Sequence, residues 1–275
     1  MARRLSISLA TIGLVLGSML MAAGAASAKP ITAQPIHSTT IHGYRPGGLM
    51  IRPHNGSKPE AGHHGRYTTA ESTNWSGYAV TGSNGAYSSV SASWTEPTAT
   101  CTSRRGSQYA SFWVGLDGYS SNSVEQTGTD SDCAGRTPQY YGWYEMYPAY
   151  PVNFPNTVRP GDAMSASVTF SGTTTYTLVL HDATQNWTQT VVQNESGLAR
   201  SSAEVITEAP SSNTGVLPLA NFGTVSYSVS AANGTSLGTQ NPVQIIMVNN
   251  SGQQKDSTSS ISSGGAFSNT WLRSN

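Results

Sequence analysis

The chain has 275 residues and is only 10% charged, with 14 Lys and Arg against 14 Asp and Glu. That balance excludes a strongly basic nucleic-acid surface, and sparse ion pairing means little folding stability is lost when carboxylates protonate in acid. After Thr73 there is one histidine, His181, and one lysine, Lys255, so histidine-dependent zinc sites are almost excluded and any Ser-His-Asp or Cys-His mechanism would have to use His181.

The chain opens with Arg3 and Arg4, then a mostly apolar, small-residue run from Leu5 to Ala23, then Ala26-Ser27-Ala28, which fits the small-x-small cleavage rule. Residues 1–28 therefore read as a secretory signal peptide and the mature chain as extracellular; no later stretch is apolar enough to span a bilayer. Residues 29–72 hold His37, His42, His54, His63 and His64 with several Pro and Gly, and read as a pro-segment or flexible leader. Its basic residues (Lys29, Arg45, Arg52, Lys58, Arg66) outnumber Glu60 and Glu71, while the remainder is mildly acidic. Such a leader could lie electrostatically over an acidic cleft, or be a spacer with no inhibitory role; the sequence leaves both open.

Residues 73–275 are enough for one all-β domain. No stretch there has a helical period. Short β-branched and aromatic runs recur instead between Gly, Asn, Ser and Pro: residues 87–95, 109–116, 124–129, 139–147, 164–170, 176–181, 187–192, 203–207, 223–230 and 243–248. Their length and spacing predict a two-sheet antiparallel β-sandwich. Ser-rich stretches such as 119–122 and 257–265 read as loops. Cys101 and Cys133, in a secreted chain, are expected to form a disulfide closing a loop of about thirty residues, worth ~3 kcal/mol, and tying loops on either side of Trp113 to Gln126. Asp130 and Asp132 read as a solvated loop in preference to a calcium site, and His181 as a strand-end surface residue.

Alternation sorts the aromatic and acidic residues onto faces. In Trp143-Tyr144-Glu145-Met146-Tyr147, Trp143, Glu145 and Tyr147 share one face; in the run from Ala203 to Glu208, Glu204, Ile206 and Glu208 share another. Carboxylates beside indole and phenol rings describe either a concave substrate groove or an aromatic sheet face with solvated acids, and periodicity alone does not separate the two.

Further motifs favour the groove. Asn74-Trp75-Ser76-Gly77, Trp113-Val114-Gly115-Leu116-Asp117-Gly118, Gln126-Thr127-Gly128, Trp143-Tyr144-Glu145-Met146-Tyr147-Pro148, Ala203-Glu204-Val205-Ile206-Thr207-Glu208 and Ala220-Asn221-Phe222-Gly223-Thr224-Val225 occur in this order. Together they resemble the glutamic peptidases (eqolisins, family G1), secreted, acid-acting, pepstatin-insensitive endopeptidases, over most of the mature part. The resemblance implies a lectin-like sandwich of two seven-stranded antiparallel sheets with the site on a concave face, a leader removed on activation, and a dyad carried onto Gln126 and Glu204. In that scheme Glu204 is general base on a water, Gln126 holds the water and stabilises the oxyanion, and Glu204 returns the proton to the leaving amine. Trp113, Asp117, Gly118, Trp143, Glu145 and Tyr147 would support substrate and dyad, Asp117 and Glu145 orienting Gln126 or the water. Polypeptides are the expected substrates, with the pro-segment as a candidate inhibitor. No cofactor, metal, nucleic-acid partner or membrane contact after signal cleavage is expected, and a monomer is the default.

The chemistry is consistent. A carboxylate with an ordinary pKa of about 4.3 serves as base and then acid only in acidic medium, and a neutral amide remains a donor there. Val205 and Met146 stand where the family usually has tryptophan, and Glu125 where an apolar residue is usual, which bears on subsite preference and pH optimum. Glu208 shares a face with Glu204, so the choice between them rests on the motif's first glutamate. The alternative is a glycoside hydrolase or carbohydrate-binding sandwich; a glycosidase would need two opposed carboxylates about 5–5.5 or 6.5–9.5 Å apart and would leave Gln126 without a role. A non-catalytic adhesion module would tolerate loss of Gln126 or Glu204, and both are present.

Overall fold

Period-two burial along short Thr-, Ser- and Val-rich runs builds the architecture. The computed structural model describes residues 68–275 except Arg105, Asn213 and Thr214, so the signal peptide and the leader before Thr68 lie outside the described residues. In chain order the strands are β1 (Thr68–Ser72), β2 (Trp75–Thr81), β3 (Ser89–Thr95), β4 (Ser107–Gln108), β5 (Ser111–Leu116), β6 (Val124–Ala134), β7 (Thr137–Tyr147), β8 (Val152–Thr157), β9 (Ala163–Ser171) and β10 (Thr175–Asp182). They continue with β11 (Trp187–Asn194), β12 (Ser202–Glu208), β13 (Ser211–Ser212), β14 (Gly215–Val216), β15 (Thr224–Ala232), β16 (Thr235–Ser236), β17 (Val243–Met247), β18 (Asp256–Thr258) and β19 (Phe267–Trp271). The helical content among the described residues is a single 3-10 turn at Leu237–Thr239.

The two-sheet sandwich expected from the sequence is present. One sheet has nine strands in the order β1-β17-β2-β12-β5-β6-β7-β8, with β4 on β6; the other has eight, β11-β10-β9-β3-β15-β19-β18, with β16 on β15. These exceed the seven strands per sheet that the resemblance implies. Pairing is antiparallel except that β1 joins β17 in parallel. Residues 68–72, grouped by composition with the leader, thus form an edge strand of the nine-stranded sheet. The sequence also missed β2, which carries an interior glycine, and β8, whose Pro155 is tolerated because β8 lies at a sheet edge.

Strands β3 and β10 bury alternate residues, as strands with one face in the core must. Strands β5 and β12 are buried at every position. Their inward residues Phe112, Val114, Leu116, Ala203 and Val205 join the core between the sheets, with Trp94, Val168, Leu178, Leu180 and Tyr227. Their outward face is also covered: Trp113 and Ile206 cluster with Trp75, Ala79, Val124, Trp143 and Ile245. This second apolar cluster is the floor of the candidate site.

Strands β6 and β7 are longer than the sequence indicates and form one hairpin closed by the turn between Ala134 and Thr137. Asp130 and Asp132 consequently sit on a strand and are buried, correcting the solvated-loop reading. The Cys101–Cys133 disulfide is present, with Cα atoms 5.4 Å apart, but Cys133 lies on β6, so the bridge ties a loop to a strand. His181 is on the far face of the other sheet, its Nδ1 2.9 Å from Trp187 O and from Thr188 Oγ1.

Candidate active site

Strand register assembles the site in transverse rows. Glu204 on β12 is opposite Gly115 on β5, Gly115 opposite Gln126 on β6, and Gln126 opposite Glu145 on β7. Glu204 and Gln126 therefore face one another across a residue without a side chain, their backbones about 10 Å apart at two strand spacings. A Cβ at Gly115 would meet Trp113 Cζ3 and Val124 Cγ1 at 2.9 Å and Gln126 Cβ at 3.3 Å. Glycine is required at 115 because a side chain there would collide with Trp113 and Val124.

The next row along the strands is Ile206, Trp113, Gly128 and Trp143. Gly128 is again obligatory for space, since a Cβ there would lie 2.6 Å from Trp113 Cβ and 2.2 Å from the Phe112 carbonyl oxygen. Trp113 packs edge-on against Trp75, ring centroids 5.0 Å apart. The third row is Glu208, Ser111, Asp130 and Tyr141. It anchors the indoles: Trp113 Nε1 donates to Glu208 Oε2 at 2.9 Å, and Trp143 Nε1 to Asp130 Oδ1 at 2.6 Å. The Tyr141 hydroxyl lies 3.0 Å from Asp130 Oδ2 and 2.7 Å from Asp132 Oδ2.

This separates the two glutamates of β12, which face parity could not. Glu208 accepts from Trp113 and, at 3.3 Å, from Asn74 Nδ2. Glu204 is fully buried and neither carboxylate oxygen has a hydrogen-bond partner. Gln126 donates from Nε2 to Glu145 Oε2 at 2.5 Å, while its Oε1 is buried and unpartnered. Burial pushes the Glu204 carboxyl well above the usual range; the Asp117 and Glu125 charges add to this, and the nearby Ser202 hydroxyl and Tyr119 backbone N–H oppose it. Burial, then the Glu208 charge, raise Glu145 in the same sense against its bond from Gln126. Glu208 is raised less, to about 7, because the Trp113 and Asn74 donors stabilise its anion against burial.

The match with known proteins follows this geometry. Residues 73–271 match the Peptidase A4 family. The chain belongs to that family.

Aspergillopepsin-2 of Aspergillus niger is 29% identical over 178 residues, covering 57% of this chain and 62% of the relative, so the chain spans less than two thirds of that relative's length. Among solved structures, scytalido-glutamic peptidase with a transition-state analog inhibitor superimposes with a TM-score of 0.62 at 27% identity, covering 73% of this chain and 98% of that one. SCP-B, an eqolisin peptidase in complex with the tripeptide Ala-Ile-His, gives a TM-score of 0.58 at 25% identity over the same shares. The resemblance read from the sequence motifs is thus borne out.

Other expected site residues take different places on this Peptidase A4 framework. Trp113, Trp143, Glu145 and Tyr147 share one sheet face with Gln126 and Glu204. Asp117 does not bond to Gln126. It adopts a left-handed backbone, φ 68°, and its carboxylate accepts from Arg200 N and Ser201 N, clamping the end of β5 to the start of β12. Gly118, φ 107°, completes that turn and donates its N–H to Ser121 Oγ. The three departures from the family pattern all face away from the groove: Val205 is in the inter-sheet core, Met146 packs against it, and Glu125 points the same way. They can bear on substrate preference only indirectly. Gly115, Asn74 and the anchoring role of Glu208 were not singled out beforehand; Gly115 and Asn74 lie inside recognisable motifs, but their use depends on cross-strand register. Among the described residues no group of three His, Cys, Asp or Glu side chains is placed to hold a metal ion, and no helix is long and apolar enough to cross a membrane.

Proposed function

We propose that the chain is a secreted, acid-acting glutamic endopeptidase in which Glu204 and Gln126 are the catalytic dyad. The supporting observation is the pairing of an unpartnered carboxyl with an amide across the side-chain-free Gly115. A water above Gly115 would give a proton to the Glu204 carboxylate and hydrogen-bond to Gln126 Oε1 while attacking the scissile carbonyl carbon. The second N–H of Gln126, the first being held by Glu145, would donate to the developing oxyanion. Glu204 would then pass its proton to the leaving amine as the C–N bond breaks. Glu204 acts as base only when ionised, so water and substrate entering the groove must bring its raised pKa down. The indoles of Trp113 and Trp143 exclude bulk solvent beside the dyad.

Secretion follows from the signal-like N-terminus. The glycosidase alternative is disfavoured by register: Glu204 and Glu145 stand three strands apart, about 14 Å between backbones, with the Gln126 amide between them.

The test is digestion of a denatured protein at about pH 3–4 with pepstatin present, wild type beside Gln126→Ala and Glu204→Gln. Cleavage by wild type and its loss in both folded variants is the expected result. Activity retained by Glu204→Gln would overturn the dyad, and absence of cleavage by processed wild type at any acidic pH would overturn the peptidase reading.

A further inference from the structure

Among the described residues, two carboxyl groups have both oxygens buried and unpartnered: Glu204 and Glu125. Glu204 lies on the groove side of the nine-stranded sheet. Glu125 lies directly behind it, adjacent in sequence to Gln126, opposite Leu116 on β5 and Met146 on β7. The charged and titratable groups around Glu125 offer no compensation. Asp117 at the end of β5 and Glu195 beyond β11 are both acidic; Tyr176 comes from β10, and Glu204 from the other face. Arg200, ahead of β12, places its guanidinium 3.9 Å over the Phe170 ring and its backbone N–H on Asp117.

Glu96 provides the contrast. It is equally buried and likewise raised to about 8, but its carboxyl accepts from Ser131 Oγ at 2.7 Å, Thr129 Oγ1 at 2.5 Å and Trp94 Nε1 at 3.3 Å, so a charge formed there keeps its donors. Beside Glu125 stands the Ser123 hydroxyl, and neither carboxyl oxygen of Glu125 is within hydrogen-bonding geometry of a donor. Ionised where it stands, it would be an unpaired charge between two sheets, and such charges are relieved by admitting water or by moving. The residue that moves with it is Gln126, whose side chain has one set of cross-strand neighbours, Gly115 and Glu145.

We infer that Glu125 is a positioning residue for Gln126, its uncharged carboxyl packing behind β6 to hold the amide in line with Glu204, and its ionisation displacing β6 and switching the site off. Burial, followed by the Asp117 charge, raises this carboxyl to about 8, the Ser123 hydroxyl opposing weakly, so the switch lies above the acidic working range. The inference rests on Gln126 being the catalytic amide. A shift of about 1 Å in such a group costs on the order of 100-fold in rate.

The test uses the processed enzyme with Glu125→Gln and Glu125→Met. Two profiles are recorded: kcat/KM against pH, each normalised to its own maximum, and melting temperature against pH. Both variants should hold at least about tenfold more of their maximal kcat/KM than wild type at about pH 8–9, where only wild type carries the Glu125 charge, and should lose less melting temperature between pH 5 and 8 than wild type does. A residue that only fills space would lower melting equally at every pH and leave the alkaline limb of kcat/KM in place, and that result overturns the inference. Failure of both variants to fold at pH 4 also overturns it, because the neutral isostere reproduces the state said to hold the strand. An inactive wild type whose melting still carries the Glu125-dependent step would overturn the peptidase reading while supporting ionisation-driven release of β6.

Discussion

Replacing Gly115 by alanine separates catalysis from folding more sharply than replacing the dyad. The added Cβ would lie 2.9 Å from Trp113 Cζ3 and Val124 Cγ1 and 3.3 Å from Gln126 Cβ. Trp113 cannot withdraw freely, being bonded to Glu208 at 2.9 Å and packed on Trp75. Overpacking of this kind costs about 1–3 kcal/mol, offset by about 0.4–1 kcal/mol of lost unfolded-state freedom on replacing glycine. For a domain of about two hundred residues the net of about 0–2.6 kcal/mol lowers the melting temperature by at most roughly 10 °C. The catalytic effect should be larger, because the methyl group intrudes between Glu204 and Gln126, where the proposed water and scissile carbonyl would meet. Displacing the reacting atoms by about 1 Å implies a fall in kcat/KM of at least about 100-fold, or roughly 2.7 kcal/mol of transition-state stabilisation. Peptide hydrolysis in acid beside a thermal melt measures both. A folded Gly115→Ala enzyme within about threefold of wild type would refute the placement of the reaction above Gly115.

Glu204→Gln and Glu208→Gln should behave oppositely. Glu204 makes no hydrogen bond, so its variant should melt at or above the wild-type temperature near neutral pH while losing activity; Glu208→Gln should set an amide N–H against the Trp113 or Asn74 donor, cost about 1–3 kcal/mol, and reduce activity without abolishing it. Melting temperature should also depend on pH in the sense opposite to acid denaturation. Burial raises Glu96 and Glu125 to about 8 and Glu208 and Asp256 to about 7, so the native state holds more protons than the unfolded chain. Their contribution is complete below the unfolded values near 4 and is lost as pH rises through 7–8, so calorimetry should show the melting temperature falling across that span. Lys255, lowered by burial to about 8, acts in the other direction only above that pH. A flat melting profile from pH 4 to 8 would contradict these assignments. Removing the disulfide with Cys101→Ser and Cys133→Ser, which opens a separation of 32 residues, should cost roughly 3.5 kcal/mol, read as a lowered denaturant midpoint with unchanged activity in the folded enzyme.

The sequence by itself determined the all-β class, the strands that carry the site, and the residues to inspect. Period-two alternation is local, so Trp143, Glu145 and Tyr147 could be placed on one face, and Glu204 with Glu208 on another, before any pairing was known. Motif order added the dyad. What a strand pattern cannot contain is register, which is set by contacts between segments as distant as Gly115 and Glu204. Only the tertiary structure aligned Glu204, Gly115, Gln126 and Glu145 in one row, gave Glu208 to Trp113 and Asn74, and turned Asp117 toward the β12 turn. It also assigned Val205, Met146 and Glu125 to the far side of the sheet, where they support the site face from behind. Burial of acidic groups was equally invisible in composition, because whether a carboxylate in a strand meets water, a hydroxyl or nothing depends on the sheet packed against it.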